Sequence, residues 1–89
     1  MDDLIQLRER IDEIDEKLVA LFEERMEIAL KIAEYKMLNN LPILNSDREK
    51  EVLERNKQRL ENRNFEASLE NFFENLMNLS KEEQGKVNE

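Results

Sequence analysis

Arg25 interrupts an otherwise apolar register. Leu4, Leu7, Ile11, Ile14, Leu18, Leu21, Arg25, Ile28, Ile32 and Tyr35 follow one another at alternating steps of three and four residues. That is the spacing of buried positions along a heptad seam. An unpaired charge in such a seam costs on the order of several kcal/mol. Arg25 therefore calls for an acidic partner or an anionic ligand. Lys36 lies eleven residues further on. At ~100° per residue it returns to within ~20° of the direction of Arg25, about 16 Å along a helix axis. Two long side chains so placed can converge on one small anion.

The residue types narrow the chemistry. The chain has no histidine and no cysteine, so the commonest general base and the thiol nucleophile are missing, together with thiolate metal sites and disulfides. No serine–base pair stands out. Several cations converging in an apolar setting suit a small dianion, with bidentate arginine–carboxylate contacts fixing orientation as well as charge. A pericyclic rearrangement needs neither nucleophile nor base. It needs a flexible substrate held in its reactive conformer and electrostatic stabilisation where charge develops. A positioned lysine and a neutral amide can serve a developing charge on an ether oxygen.

Three helices must position these groups. The seam predicts a first helix over 3–38, uninterrupted by Gly or Pro and roughly 54 Å long. A compact chain of this size has a diameter of only about 30 Å. The helix must project beyond its own domain with its seam exposed, and a two-fold dimer is the simplest closure. Asn39-Asn40-Leu41-Pro42 breaks the helix. Ser46-Asp47-Arg48-Glu49 reads as a capping box, with Ser46 as cap and Glu49 reaching back, and opens a second helix over 47–62 whose Val52, Leu53 and Leu60 face inward. Asn62-Arg63-Asn64 is a turn. Leu69, Phe72, Phe73, Leu76 and Met77 form the apolar stripe of a third helix, which continues into Ser80 and Gln84. Val19, Phe22, Phe72 and Phe73 read as core. Residues 1–84 form one helical domain, and 85–89 read as a frayed tail.

Arg8 flanks the seam ~25 Å from Arg25, too far to share a ligand within one chain. In an antiparallel dimer of first helices paired about residue 20, Arg8 of one chain falls opposite residue 32 of the other, between Arg25 and Lys36. The second helix turns back and brings Arg48 and Glu49 toward Lys36, while the third returns Ser80 and Gln84 to the same end. Bundle cores hold ligand sites in this way. Each residue also has a plainer explanation. Arg8 and Arg48 can be solvated surface charges and Lys36 a snorkelling helix-end residue. Glu49 can be a capping residue, Ser80 a helix end and Gln84 part of the tail. Arg25 can be a register device in a coiled coil.

Composition sets outer limits. Eighty-nine residues make one domain at most, and a net charge of −8 disfavours nucleic acid and anionic membranes as partners. No apolar run is long enough to span a bilayer and no signal-peptide pattern opens the chain. A cytoplasmic protein is the expectation.

Four segments carry a resemblance: L-R-E-R-I-D-E-I-D-E-K-L-V-A-L-F-E-E-R, I-A-E-Y-K, P-I-L-N-S-D-R-E and S-K-E-E-Q. With their spacing they resemble the all-helical AroQ class of chorismate mutases, from about Leu4 to Gln84. The resemblance implies an all-α entwined antiparallel homodimer with two active sites. It implies conversion of chorismate to prephenate in aromatic amino-acid biosynthesis, an isomerase reaction without cofactor or metal. It implies that Arg8 comes from the opposite subunit and binds a substrate carboxylate. Arg25 binds the other carboxylate side, and Lys36 the ether oxygen and a carboxylate. Arg48 supports the site, Glu49 accepts from the substrate hydroxyl, Ser80 contacts a carboxylate and Gln84 is the second donor to the ether oxygen. Asn45 stands where the family commonly has Asp; the backbone N–H at this loop, which makes part of the family's contact, is kept. An isochorismate-pyruvate lyase on the same fold and a non-catalytic coiled-coil module are the alternatives. The same pattern serves a monofunctional enzyme or one module of a larger one.

Overall fold

The computed structural model describes residues 2–88 and, of these, the side chains of 3–87. Helix α1 spans Asp2–Leu38, α2 spans Ser46–Arg59 and α3 spans Glu66–Gly85, with short 3-10 turns at Arg63–Phe65 and Lys86–Asn88. No strand occurs among the described residues, so the all-α expectation holds. Nor is any helix among them long and apolar enough to cross a membrane. The molecule measures 57 × 26 × 15 Å with a radius of gyration of 16.4 Å, against about 12 Å for a compact chain of this length. The excess is α1, 37 residues long and thus ~55 Å from end to end.

α1 ends where Asn40 takes a left-handed conformation, φ 56°, which Asn tolerates better than most residues. Leu41 N–H then donates to the Lys36 carbonyl and Asn40 N–H to that of Met37, a Schellman closure that satisfies the last carbonyls. This stop fixes Lys36 in the final turn of α1, facing the loop that leads to α2.

The start of α2 differs from the expected capping box. The N-cap is Asn45, whose side-chain oxygen accepts from Arg48 N–H at 3.1 Å, and Ser46 is the first helical residue. Both are good cap formers; Asn45 has the extended backbone that a cap requires. Glu49 does not reach back to the cap. Its carboxylate pairs with Lys81. α2 stops at Arg59 rather than residue 62, because Leu60 is extended and Arg63 donates to the Lys57 carbonyl.

α3 packs against both other helices, whereas no Cα of α1 comes within 8 Å of one in α2. α3 thus floors a gap between them. The small side chains of Ala29 and Ala33 let α3 approach α1 closely, and with Met26 and Leu76 they are the buried apolar residues. This stripe lies beside the heptad seam, not on it. Leu4, Leu7, Ile11, Ile14, Leu18, Leu21, Ile28, Ile32 and Tyr35 are all exposed in the single chain. Val19, Phe22 and Phe72, expected as core, are exposed as well, while Phe73 is half-buried and meets Phe72 edge to face. Beyond α3, Lys86–Asn88 turn once more as 3-10 helix; of the expected 85–89 tail, Glu89 lies outside the described residues, as does Met1 of the expected 1–84 domain.

The cap assignment predicts that Asn45→Ala lowers the unfolding free energy by about 1 kcal/mol, whereas Ser46→Ala changes it by less than about 0.5 kcal/mol. Urea denaturation at one fixed protein concentration distinguishes the two. Equal losses would return the cap to Ser46.

Candidate active site

The last two turns of α3 place Met77, Ser80, Lys81 and Gln84 at helical spacing on the face that meets α1 and α2. Ser80 and Gln84 are buried polar residues, 7% and 8% exposed, and both make hydrogen bonds within the chain. Arg25 Nη1 donates to Ser80 Oγ at 2.9 Å, and that hydroxyl donates back to the Leu76 carbonyl at 2.9 Å. Gln84 Nε2 donates to the Ala29 carbonyl at 2.9 Å. This bond fixes which end of the amide faces α1 and leaves Gln84 a second N–H to offer. Lys36 Nζ donates to the Ile43 carbonyl at 2.8 Å, tying the α1–α2 loop to the helix while two of its three donors stay available.

Arg25, Lys36, Asn45, Arg48, Glu49, Ser80 and Gln84 line one cavity of about 280 Å³ between the three helices, with Ile28, Ile32, Val52 and Met77 as apolar wall. Seven of the eight residues singled out from the sequence thus converge. Arg8 does not line it, consistent with its position far down α1. Arg48 stands at the mouth, exposed and paired with Glu51 at 3.1 Å. One residue escaped the sequence reading: Lys81, also in the lining, whose ammonium lies 2.9 Å from Glu49 Oε2. Its signal was present, because position 81 is four residues after Met77, on the same face as Ser80 and Gln84.

Four cations and one carboxylate face this cavity, in a chain whose net charge is −8. Arg25 feels the concentration of positive charge. Burial lowers its pKa from the ordinary arginine value, and the nearby Arg48 guanidinium lowers it further. Arginine stays protonated regardless, so the result is a standing cost at every working pH. Among the described residues, Arg25 meets the neutral Ser80 hydroxyl and the like-charged Arg48. A cavity so lined can attract an anion, and Lys36 and Gln84 each keep N–H donors that their bonds within the chain do not use.

A second, larger hollow of about 720 Å³ adjoins this cavity and shares Arg25, Arg48 and Val52 with it. Leu18, Val19, Phe22, Phe72 and Leu79 make it apolar, and Arg55 and Arg59 rim it.

Residues 7–85 match the family model described as chorismate mutase type II, and the chain belongs to that family. Among curated relatives, it is 46% identical over 52 residues to a bifunctional chorismate mutase/prephenate dehydratase of Escherichia coli (strain K12), covering 58% of this chain and 14% of that protein. It is 44% identical over 55 residues to the corresponding bifunctional protein of Aquifex aeolicus, covering 62% of this chain and 15% of that one. It is 32% identical over 69 residues to a chorismate mutase of Methanocaldococcus jannaschii, covering 78% of this chain and 70% of that protein. The matched segment is thus a small part of the longer bifunctional relatives and most of the shorter one. No solved structure matches the chain significantly.

Because Arg25 is half-buried beside a like charge, Arg25→Met leaves the unfolding free energy of the ligand-free protein within about 1 kcal/mol of wild type, or raises it. Chemical denaturation measures this. A loss well beyond that figure would make Arg25 a structural residue of the seam.

Proposed function

We propose that this chain is a chorismate mutase that converts chorismate to prephenate in aromatic amino-acid biosynthesis, acting as an antiparallel homodimer with two pockets. The observation that carries the reading is the convergence of Arg25, Lys36, Arg48, Ser80 and Gln84 on one apolar-walled cavity in a member of this family. In the rearrangement the ether C–O bond breaks as a C–C bond forms within the same molecule. No atom enters or leaves, so no nucleophile or base is required.

Catalysis then rests on holding the reactive conformer and stabilising its charge. Arg25, oriented by Ser80, takes one carboxylate side of the substrate, with Ser80 contributing to the same carboxylate and Arg48 closing the mouth. Lys36 and Gln84 donate to the ether oxygen, where negative charge grows as the C–O bond lengthens. Donors aimed at that atom act more strongly in the transition state than in the ground state. Glu49 accepts from the substrate hydroxyl. The Asn45 side chain is committed to capping α2, so it serves the site through its backbone N–H.

The homodimer reading rests on what the single chain leaves bare. Every described side chain from 3 to 24 is exposed, including the apolar seam. The large hollow beside the cavity is apolar with a basic rim, and the first half of α1 offers apolar seam residues flanked by Glu9, Asp12, Glu13, Asp15 and Glu16. Seating the partner's α1 there buries both surfaces and pairs the charges. With α1 helices crossing at residue 20, the partner's Arg8 is brought opposite Ile32, which lines the cavity.

The test is turnover of chorismate to prephenate by purified protein, with isochorismate as the competing substrate. Arg25→Ala and Lys36→Ala should each lower kcat/KM by at least about 100-fold with the fold retained. Gln84 is an amide and does not titrate, so kcat/KM should not rise steeply below about pH 6, as it would if a carboxyl group at that position had to gain a proton to donate. Near-wild-type turnover by either variant, or preference for isochorismate, would overturn the proposal.

A further inference from the structure

Lys81 and Glu49 form a contact that neither capping nor stability accounts for. Their side chains are 32% and 30% exposed and lie 2.9 Å apart, and an ion pair of that exposure contributes little to stability. The pair joins the first turn of α2 to the last turns of α3 across the mouth of the cavity that both residues line. Lys81 engages Glu49 Oε2, and Oε1 takes no hydrogen bond or ion pair among the described residues.

We propose that Lys81 is a positioning residue for this site: it holds the Glu49 carboxylate by one oxygen and leaves the other to accept a hydroxyl from the bound dianion. The inference rests on the mutase reading above and deepens it. Two physical effects act together. The ammonium restricts Glu49 to one orientation, so less freedom is lost when substrate binds. It also offsets the one carboxylate that faces the cavity, so an acceptor for a hydroxyl coexists with a pocket that must attract two negative charges. Without Lys81, Glu49 is free to turn toward another cation lining the cavity and withdraw from the hydroxyl.

The experiment is a double-mutant cycle on the full chain, reading kcat and KM for chorismate beside the thermal unfolding midpoint. Lys81→Met should lower kcat/KM about tenfold, chiefly through KM, with an unchanged midpoint. Lys81→Arg, which keeps the charge, should recover to within about threefold of wild type. In a Glu49→Gln background, Lys81→Met should cost nothing further, because the group it positions is gone. An undiminished loss in that background would show Lys81 acting directly on the substrate, and loss below twofold in the single variant would show no role; either overturns the inference. Absence of turnover by the unsubstituted chain would instead overturn the mutase reading itself.

Discussion

α1 is too long for the body it belongs to, and the rest of the architecture follows from that. α3 covers only its second half, where Ala29 and Ala33 allow close packing. The apolar seam of the first half has nothing to pack on, and the side chains from 3 to 24 remain exposed. With four buried apolar residues among those described, the single chain has too small a core to rely on alone. The bare helix and the open apolar hollow are the two surfaces that the proposed dimer would bring together, and the cavity with its cations adjoins that hollow.

Within the cavity, the structure tolerates an arrangement that stability alone would not favour. A half-buried guanidinium stands beside a second guanidinium, and burial and repulsion both act against it. Two buried polar side chains, Ser80 and Gln84, replace apolar residues at the end of the α3 stripe and are engaged with Arg25 and the α1 backbone. Groups fixed in advance by the fold need little rearrangement when charge develops on a ligand. Local stability is lower than it need be, as is common where function sets the residue types. The Asn at position 45 fits the same logic: it caps α2 as an Asp would without adding a negative charge to a cavity lined by four cations.

Much of this is legible in the amino-acid sequence. The long first helix follows from an unbroken three-four register, and its stop from the break at Asn39-Asn40-Leu41-Pro42; the left-handed turn at Asn40 is visible only in the fold. Ser80 and Gln84 were found by continuing the α3 stripe past its apolar part. The cap was misplaced by one residue because Asn45 and Ser46 are both cap formers, and only backbone geometry chooses between them. The face of α1 that meets α3 is not legible in the seam, because two of its residues are alanines, which weigh little in a hydrophobic pattern yet decide how closely helices approach. Lys81 was passed over as one more surface charge in a chain where charges make up 40% of residues; only the fold brings Glu49 to it. Arg8 does not line the cavity of the single chain, and its place in the site rests on the proposed dimer.

The most direct measurement is therefore on mixed chains. Arg8→Ala and Arg25→Ala proteins, each inactive alone, are unfolded together, refolded at equal amounts and assayed for conversion of chorismate to prephenate. In a heterodimer, one pocket receives Arg25 from the first chain and Arg8 from the second, and the other pocket lacks both. Random pairing should thus restore about a quarter of wild-type turnover per chain. No recovery, with heterodimers shown to form, would contradict a pocket completed across the two-fold axis.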